Sequence, residues 1–267
     1  MSNSLSDEAV LAAKVYEELH VPALFQQFAP IVVSTAQISP GQRVLDVACG
    51  TGILARTVVS TVTDAGPVTG LDQSPGMLAI ARQLAPSIDW LEGAAESLTV
   101  GDNSFDTVVS QFGLMFFQNR PSALREMVRV LAPGGRIVVA VWDALINSQA
   151  YPDEVDILQR LAGQAAADAL RAPFILGNSD HVSALLADAG AAFVEVVPHN
   201  GTARFPNIKT MVEADLRGWL PAMGVQLNEA QIALILNEAE RVLNRFKVAG
   251  GQVEFAAPCL IARGIKV

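Results

Sequence analysis

The sequence predicts an α/β domain built on a mostly parallel sheet, with its ligand site at the rim where the strands end. Three observations carry that prediction. Apolar runs alternate with segments of helical spacing from Arg43 to Trp142, the pattern of successive strand–helix–strand units. The run Val44-Leu45-Asp46-Val47-Ala48-Cys49-Gly50-Thr51-Gly52 reads as a buried strand that ends in a carboxylate and turns on two glycines into a helix. The run Val68-Thr69-Gly70-Leu71-Asp72 puts a second acid at the tip of the next strand, 20 positions after Gly52, the spacing of a ribose-binding carboxylate.

The elements follow in order. Ser6 with Asp7 and Glu8 reads as an N-cap and acidic first turn, opening a helix to about His20. Pro22 starts a second helix, which carries Leu24, Phe25, Phe28, Ile31 and Val32 on an apolar face to about Gln37. Pro40-Gly41 is a turn. Strands are expected at 43–47, 67–71, 88–91, 105–110 and 136–142, with helices at 52–62, 75–84 and 121–131. Gly101-Asp102-Asn103-Ser104 and Pro133-Gly134-Gly135 are turns. Right-handed crossovers leave the strand C-termini on one rim, with Gly50, Asp72, Ala95 and Ser110 along it.

After Trp142 the pattern changes. Helices are expected at 152–170 and 180–189. A strand at Phe193–Val197 extends through Gly201–Phe205, helices follow at 207–218 and 228–247, and Gln252–Ile265 is a final strand. The chain therefore divides into an N-terminal helical cap (1–39), a cofactor-binding core (40–142) and a remainder (143–267). The remainder completes the sheet and adds helical lid insertions at about 143–175 and 207–248.

The charge of Asp46 discriminates between ligands. Gly50-x-Gly52-x-x-Ala55 also fits the dinucleotide fingerprint G-x-G-x-x-G/A. A carboxylate just before the turn would repel a pyrophosphate and attract a cation, such as the ammonium and sulfonium of S-adenosylmethionine (SAM). At ~4 Å a unit charge pair is worth roughly 1 kcal/mol in water and several times more in a partly desolvated cleft. A bare structural turn is the bland alternative; the agreement of strand, turn, helix and second acid argues against it.

Composition sets further bounds. With 267 residues, 51% of them hydrophobic, the chain suits one α/β core with an added lid. The net charge is −9 and no Lys/Arg cluster interrupts it, so nucleic acid and anionic membrane are poor partners. The two cysteines, Cys49 and Cys259, form no C-x-x-C pair and join no His cluster, so no metal is expected and a reducing cytoplasm is the expected setting. Met1–Glu8 is polar and acidic and does not read as a signal peptide. The apolar stretches Val108–Phe117 and Ile137–Trp142 are too short to span a bilayer.

Five segments together resemble the SAM-dependent methyltransferases of the seven-stranded Rossmann-like (class I) type, in the "type 11" branch that includes the ubiquinone/menaquinone methyltransferases. They are Val44–Gly52, Gly70–Leu78, Glu92–Leu98, Ser104–Ser110 and Leu124–Arg136, in the family's order. The resemblance implies a seven-stranded, mostly parallel sheet with helices on both faces and an antiparallel last strand. It implies SAM as cofactor, S-adenosylhomocysteine as product, and methyl transfer to an oxygen, carbon or nitrogen of a small-molecule acceptor by in-line displacement. The chain departs from the family at Ala94, where the family often has an Asp that accepts from the adenine amino group; the N–H of Ala95 and nearby Glu96 remain. A SAM-binding module without catalysis and, less favoured, an NAD-dependent oxidoreductase are the alternatives. The latter lacks a Tyr-x-x-x-Lys pair. No D/N-P-P-Y/F motif follows the fourth strand, which argues against methylation of nucleic-acid amino groups.

The resemblance assigns cofactor roles residue by residue. Asp46, Ala48, Gly50 and Gly52 would take the methionine part of SAM, and Asp72 the ribose hydroxyls. Gln73 and Met77 would cover the adenine face, Ala95 and Glu96 would serve the ring, and Ser110 would offer its carbonyl to the ammonium. Gln111, Phe112, Met115 and Phe116 leave the fourth strand at the rim and are candidate acceptor-pocket residues, as are Tyr16, Phe25, Trp142 and Trp219. No catalytic residue is evident. His20 and His199 are the candidate bases, and His181 reads as a surface residue at a helix start.

Overall fold

The structure, a computed structural model, describes residues 7–267; the expected N-cap Ser6 lies outside them. Two units are present. The first comprises the described residues to Val141, with Asn178–His199 and Leu260–Val267; the second comprises Trp142–Gly177 and Asn200–Cys259.

The first unit begins with α1 (Asp7–Val15), a π-helical stretch (Tyr16–Phe25) and α2 (Ala29–Ala36). Pro22 therefore lies inside a helical stretch where a new helix was expected to begin. The wider π turn tolerates the proline ring, which an α-turn would drive into the preceding carbonyl. Gln26 N–H closes the stretch on the Val21 carbonyl, five residues back. The segment 7–36 rests on the core through a close crossing at Gly76, where a Cβ would come within 2.5 Å of the Ala9 carbonyl oxygen.

The core alternates as the spacing predicts: β1 (Val44–Val47), α3 (Ile53–Thr61), β2 (Val68–Asp72), α4 (Pro75–Leu84), β3 (Asp89–Glu92), β4 (Phe105–Gln111), α5 (Arg120–Val130) and β5 (Leu131–Trp142). Leu131 pairs with Phe105 and Arg136 with Thr107, so residues 132–135 loop out of the ladder around Gly134. This is the expected Pro133-Gly134-Gly135 turn. Then follow α6 (Tyr151–Leu161), α7 (Gln164–Arg171), α8 (Ser179–Asp188) and β6 (Ala191–His199). The chain continues through β7 (Thr202–Phe205), α9 (Ile208–Ala214), the single turn α10 (Leu220–Ala222) and α11 (Glu229–Val242), ending in β8 (Val253–Ala256) and β9 (Cys259–Lys266).

Seven strands form one sheet in the order β3-β2-β1-β4-β5-β9-β6. β1 pairs parallel to β2 and β4, β2 to β3, and β4 to β5; the last strand is antiparallel. The chain moves outward from β1 through β2 and β3, then outward again on the other side through β4 and β5. Right-handed crossovers in opposite directions put α3 and α4 on one face and α5 on the other. The crevice between the ends of β1 and β4 is thus a topological switch point, where ligands bind in such sheets.

Three expectations are corrected beyond Trp142. The helix expected over 152–170 breaks at Gly163 (φ +91°) into α6 and α7. Residues 202–205 do not prolong the sixth strand; β7 pairs antiparallel with β8 in a separate two-stranded sheet of the second unit. The final strand expected over 252–265 is two strands, interrupted at Ala257-Pro258. Pro258 lacks an N–H to continue a ladder, and its carbonyl accepts from Asp143 N–H at 3.1 Å.

Trp90 explains the second glycine of the turn. Its indole lies under Gly52, where a Cβ would come 2.3 Å from Cη2, and Gly52 holds φ +89°. Gly52→Ala should therefore lower stability by about 2–5 kcal/mol, from overpacking and left-handed backbone strain together. Urea denaturation checks this; a loss under 1 kcal/mol would show that the indole moves freely, and Trp90→Phe should relieve part of any larger loss.

Candidate active site

β1 ends at Val47, and the chain turns through Ala48 (φ +57°), Gly50 and Gly52 into α3. The turn is tied to the next strand. Cys49 N–H donates to the Leu71 carbonyl at 3.0 Å, and Asp72 Oδ2 accepts the Gly50 N–H at 2.8 Å. The other oxygen of Asp72 accepts the Ser74 N–H at 2.8 Å, at the N-cap of α4. Burial raises the pKa of Asp72 above the usual carboxylate value, against these backbone hydrogen bonds.

Asp46 is buried beneath the turn, 1% exposed. Its Oδ2 accepts the Ala55 N–H at 3.1 Å, in the first turn of α3, and its Oδ1 has no partner. Burial pushes its pKa up to about 8; the Ala55 bond opposes this and the charge of Asp72 adds to it. Thr51 Oγ1 and Ser110 Oγ are likewise buried and unpartnered. Ser110 and Ala48 approach each other at Gly113, where a Cβ would lie 3.1 Å from Ser110 Oγ and 2.6 Å from Ala48 Cβ. A buried polar group left unpaired costs about 1–3 kcal/mol, and three gathered around one glycine turn suit a polar ligand lying on that turn. The unpartnered carboxylate oxygen selects for positive charge.

The segment 16–28 supplies an aromatic wall. Tyr16 Cε1 lies 3.8 Å from the position of a Cβ on Gly50. Tyr16 stacks on His20 and Phe25, at ring distances of 5.8 and 5.4 Å. Phe25 and Phe28 meet Phe112, which sits just past the end of β4 in the left-handed region (φ +56°). Gln111 Nε2 donates to the Phe25 carbonyl at 3.2 Å, while its Oε1 and His20 Nδ1 are buried without partners. Burial lowers the pKa of His20 to about 4, so its imidazole is neutral at pH 7.

The other expected residues are distributed as follows. Gln73 is exposed and Met77 half-buried in the first turn of α4. Ala95 is buried in the loop after β3, and Glu96 Oε1 accepts the N–H of Asn119, the N-cap of α5, at 3.3 Å. Met115 is buried and Phe116 exposed. His181 is an exposed residue at the start of α8. His199 ends the edge strand β6, four ladder steps from β1 and thus ~19 Å from it. It lines a separate cavity of about 240 Å³ with Gln37, Glu195 and Arg263. Trp142 and Trp219 fall in the second unit, where Trp142 packs 6.4 Å from Phe174 and Trp219 Nε1 donates to the Ala169 carbonyl at 2.8 Å. The glycine turn thus gathers Asp46, Ala48, Asp72, Ser110, Tyr16 and, through Tyr16, His20; it does not gather His199.

Sequence reasoning passed over Thr51, whose place between two glycines was the available signal. It also passed over the pair Glu17–Arg56, joined at 2.7 Å, whose 39-residue separation left no local signal. Among the described residues, no three His, Cys, Asp or Glu side chains gather as a metal-ligand set, and no helix is long and apolar enough to cross a membrane.

A seven-stranded sheet in this order, with a glycine turn after β1 and an acid at the tip of β2, defines the class I SAM-dependent methyltransferase fold. The comparisons agree. The family described as "Methyltransferase domain" matches residues 45–139. A demethylmenaquinone methyltransferase from Renibacterium salmoninarum is 47% identical over 111 residues, covering 41% of this chain and 45% of that protein. The ubiquinone/menaquinone biosynthesis C-methyltransferase UbiE from Ectopseudomonas mendocina is 34% identical over 186 residues, covering 64% of this chain and 72% of that protein. The phosphoethanolamine N-methyltransferase 2 of Haemonchus contortus, solved with phosphomonomethylethanolamine and S-adenosylhomocysteine, has the same fold. It superposes with a TM-score of 0.60 at 17% identity, over 99% of this chain and 58% of that one. The chain belongs to the class I SAM-dependent methyltransferase family. It spans about half the length of the first of these relatives.

Proposed function

We propose that this chain transfers the methyl group of SAM to an oxygen, carbon or nitrogen of a small-molecule acceptor. The observation that carries the proposal is the unpartnered, buried Oδ1 of Asp46 beneath the glycine turn, a group that an arriving ammonium would ionise and pair with. SAM, when bound, supplies a methyl group on a sulfonium. The remaining work falls to the protein. Asp46, Ala48, Gly50, Gly52 and Ser110 take the methionine part, Asp72 the ribose, and Gln73, Met77, Ala95 and Glu96 the adenine. Gln111, Phe112, Met115, Phe116, Tyr16 and Phe25 line the acceptor side. Neutral His20 takes the proton from an acceptor that carries one; His199 has no part. Alignment and exclusion of water supply the rate, of which roughly 7–11 kcal/mol is available from well-oriented reactants.

The relatives named for quinone precursors make a quinone-type ring the first acceptor to test. The reading includes no metal, nucleic acid or membrane partner, and it sets the protein in cytoplasmic small-molecule metabolism. The net charge of −9 supports it.

The test is a titration with S-adenosylhomocysteine, with NADH in parallel. At 100 times its Kd the ligand should stabilise the chain by about 2.7 kcal/mol, a rise in Tm of roughly 5–10 °C. Because the folded carboxyl of Asp46 titrates at about 8, binding a cation near pH 7 should release a proton. Calorimetry in buffers of different ionisation enthalpy reads that proton. A response to NADH alone would overturn the cofactor, and binding without proton release would remove Asp46 from the ammonium site.

A further inference from the structure

Tyr16, which lies against Gly50, is followed directly by Glu17, and Glu17 Oε1 meets Arg56 Nη2 at 2.7 Å. The two side chains are only 19–20% exposed. Arg56 stands in α3, and its other amino group donates to the Thr51 carbonyl, inside the glycine turn. One guanidinium therefore ties the N-terminal segment to the turn's own backbone. Upstream, α1 crosses α4 at Gly76; downstream, Gln111 holds the Phe25 carbonyl. Between these two anchors the ten residues Tyr16–Phe25 are π-helical and contain Pro22. A π stretch is less well hydrogen-bonded than an α-helix, so it needs a tie along its length to keep one side chain over a defined spot. Within it, Glu17–Arg56 is the charged tie that sits beside Tyr16.

A ligand lying on the Gly50 backbone must share that space with the Tyr16 ring. We infer that Glu17 and Arg56 form a latch that positions Tyr16, where the acceptor side meets the glycine turn, over the bound cofactor and sets the rate at which cofactor leaves. They are positioning residues, with Arg56 acting through Thr51 on the turn and Glu17 acting through Tyr16 on the cover. The inference rests on the cofactor reading above, and the direction of its effect follows from the geometry. Breaking the pair leaves Asp46, Asp72 and the turn's glycines in place but frees the cover, so dissociation quickens.

The experiment is stopped-flow displacement of S-adenosylhomocysteine from the full chain, followed by intrinsic tryptophan fluorescence, since Trp90 lies directly under Gly52. Glu17→Arg and Arg56→Glu should each raise the dissociation rate about tenfold or more. The double reversal should return it to within about threefold of wild type, which a merely structural role would not do. Glu17→Gln, which keeps shape and a hydrogen bond, serves if a reversal lowers Tm too far, and should give a smaller rise of about threefold or more. Single variants within twofold of wild type, or a double variant no slower than the singles, would overturn the latch while leaving the cofactor reading intact. Absence of S-adenosylhomocysteine binding by the wild-type chain would overturn the cofactor reading, and the latch with it.

Discussion

Replacing Asp72 with alanine is expected to weaken S-adenosylhomocysteine binding by at least a hundredfold, read by calorimetry. The side chain has two tasks. Its oxygens accept N–H groups from Gly50 and Ser74 at 2.8 Å each, bracing the turn after β1 against the start of α4. In the proposed site it also accepts from the ribose hydroxyls. Hydrogen bonds to a charged group contribute about 1.5–3 kcal/mol each, so losing two to the ligand corresponds to roughly two to four decades in Kd. The same change leaves the Gly50 N–H without its acceptor, so Tm should fall by a few degrees. The two effects separate in Asp72→Asn, which keeps an acceptor for one N–H but loses the charge. An affinity within threefold of wild type in Asp72→Ala would show that β2 does not end at the ribose.

Much of this site was legible in the sequence because its signals are local. The strand, turn and helix from Val44 to Thr61 carry their own punctuation, and β1 is continuously apolar apart from Asp46 because it is buried throughout. What the sequence concealed depends on distant partners. Gly52 reads as a turn residue, but the indole that excludes a side chain there belongs to Trp90. Pro22 reads as a helix start because proline favours first turns; the π stretch that accommodates it ends in Phe25 and is followed by Phe28, and both pack on the distant Phe112. His199 and His20 look alike as candidate bases, and strand order, which no single sequence pattern specifies, puts one at the sheet's edge and the other beside Tyr16. The remainder after Trp142 was the least legible. Its short elements pair within a second unit, so one expected strand became two in different sheets.

The second unit also holds a pair of acids that the helical period could have exposed. Glu154 lies among Tyr151, Val155 and Leu158, on the buried stripe of α6, and Asp215 follows Met211 and Val212 and precedes Leu216, all buried. Glu154 is fully buried, and neither of its oxygens has a donor from any other residue. Its carboxyl faces that of Asp215, and two carboxylates side by side in so buried a place disfavour being charged together. Burial, followed by the charge of Asp215, pushes Glu154 well above the usual carboxylate range, and burial pushes Asp215 up as well. Neighbouring Tyr151 is held neutral by burial and by these two acids.

The sign of the stability effect follows. A carboxyl whose folded pKa is raised binds its proton more tightly in the folded chain. Its stabilisation is complete below the unfolded value near 4 and is lost as pH rises through the folded value. The loss approaches about 1.4 kcal/mol per pH unit for each proton retained only by the folded chain. The Tm of the wild-type chain should therefore fall between pH 6 and pH 9. Glu154→Gln keeps the shape of the acid and removes one ionisation, so its Tm should fall less over the same range. The Tm of the variant relative to wild type should therefore be lowest near pH 4 and rise by several degrees towards pH 9. Asp46 titrates in the same window but is common to both proteins, so the difference between their curves isolates the buried pair. Hydrogen exchange should place the high-pH loosening in residues 151–161 and 208–219. Parallel Tm curves for the two proteins would mean that Glu154 is not held protonated beside Asp215, and that water reaches α6 to solvate it.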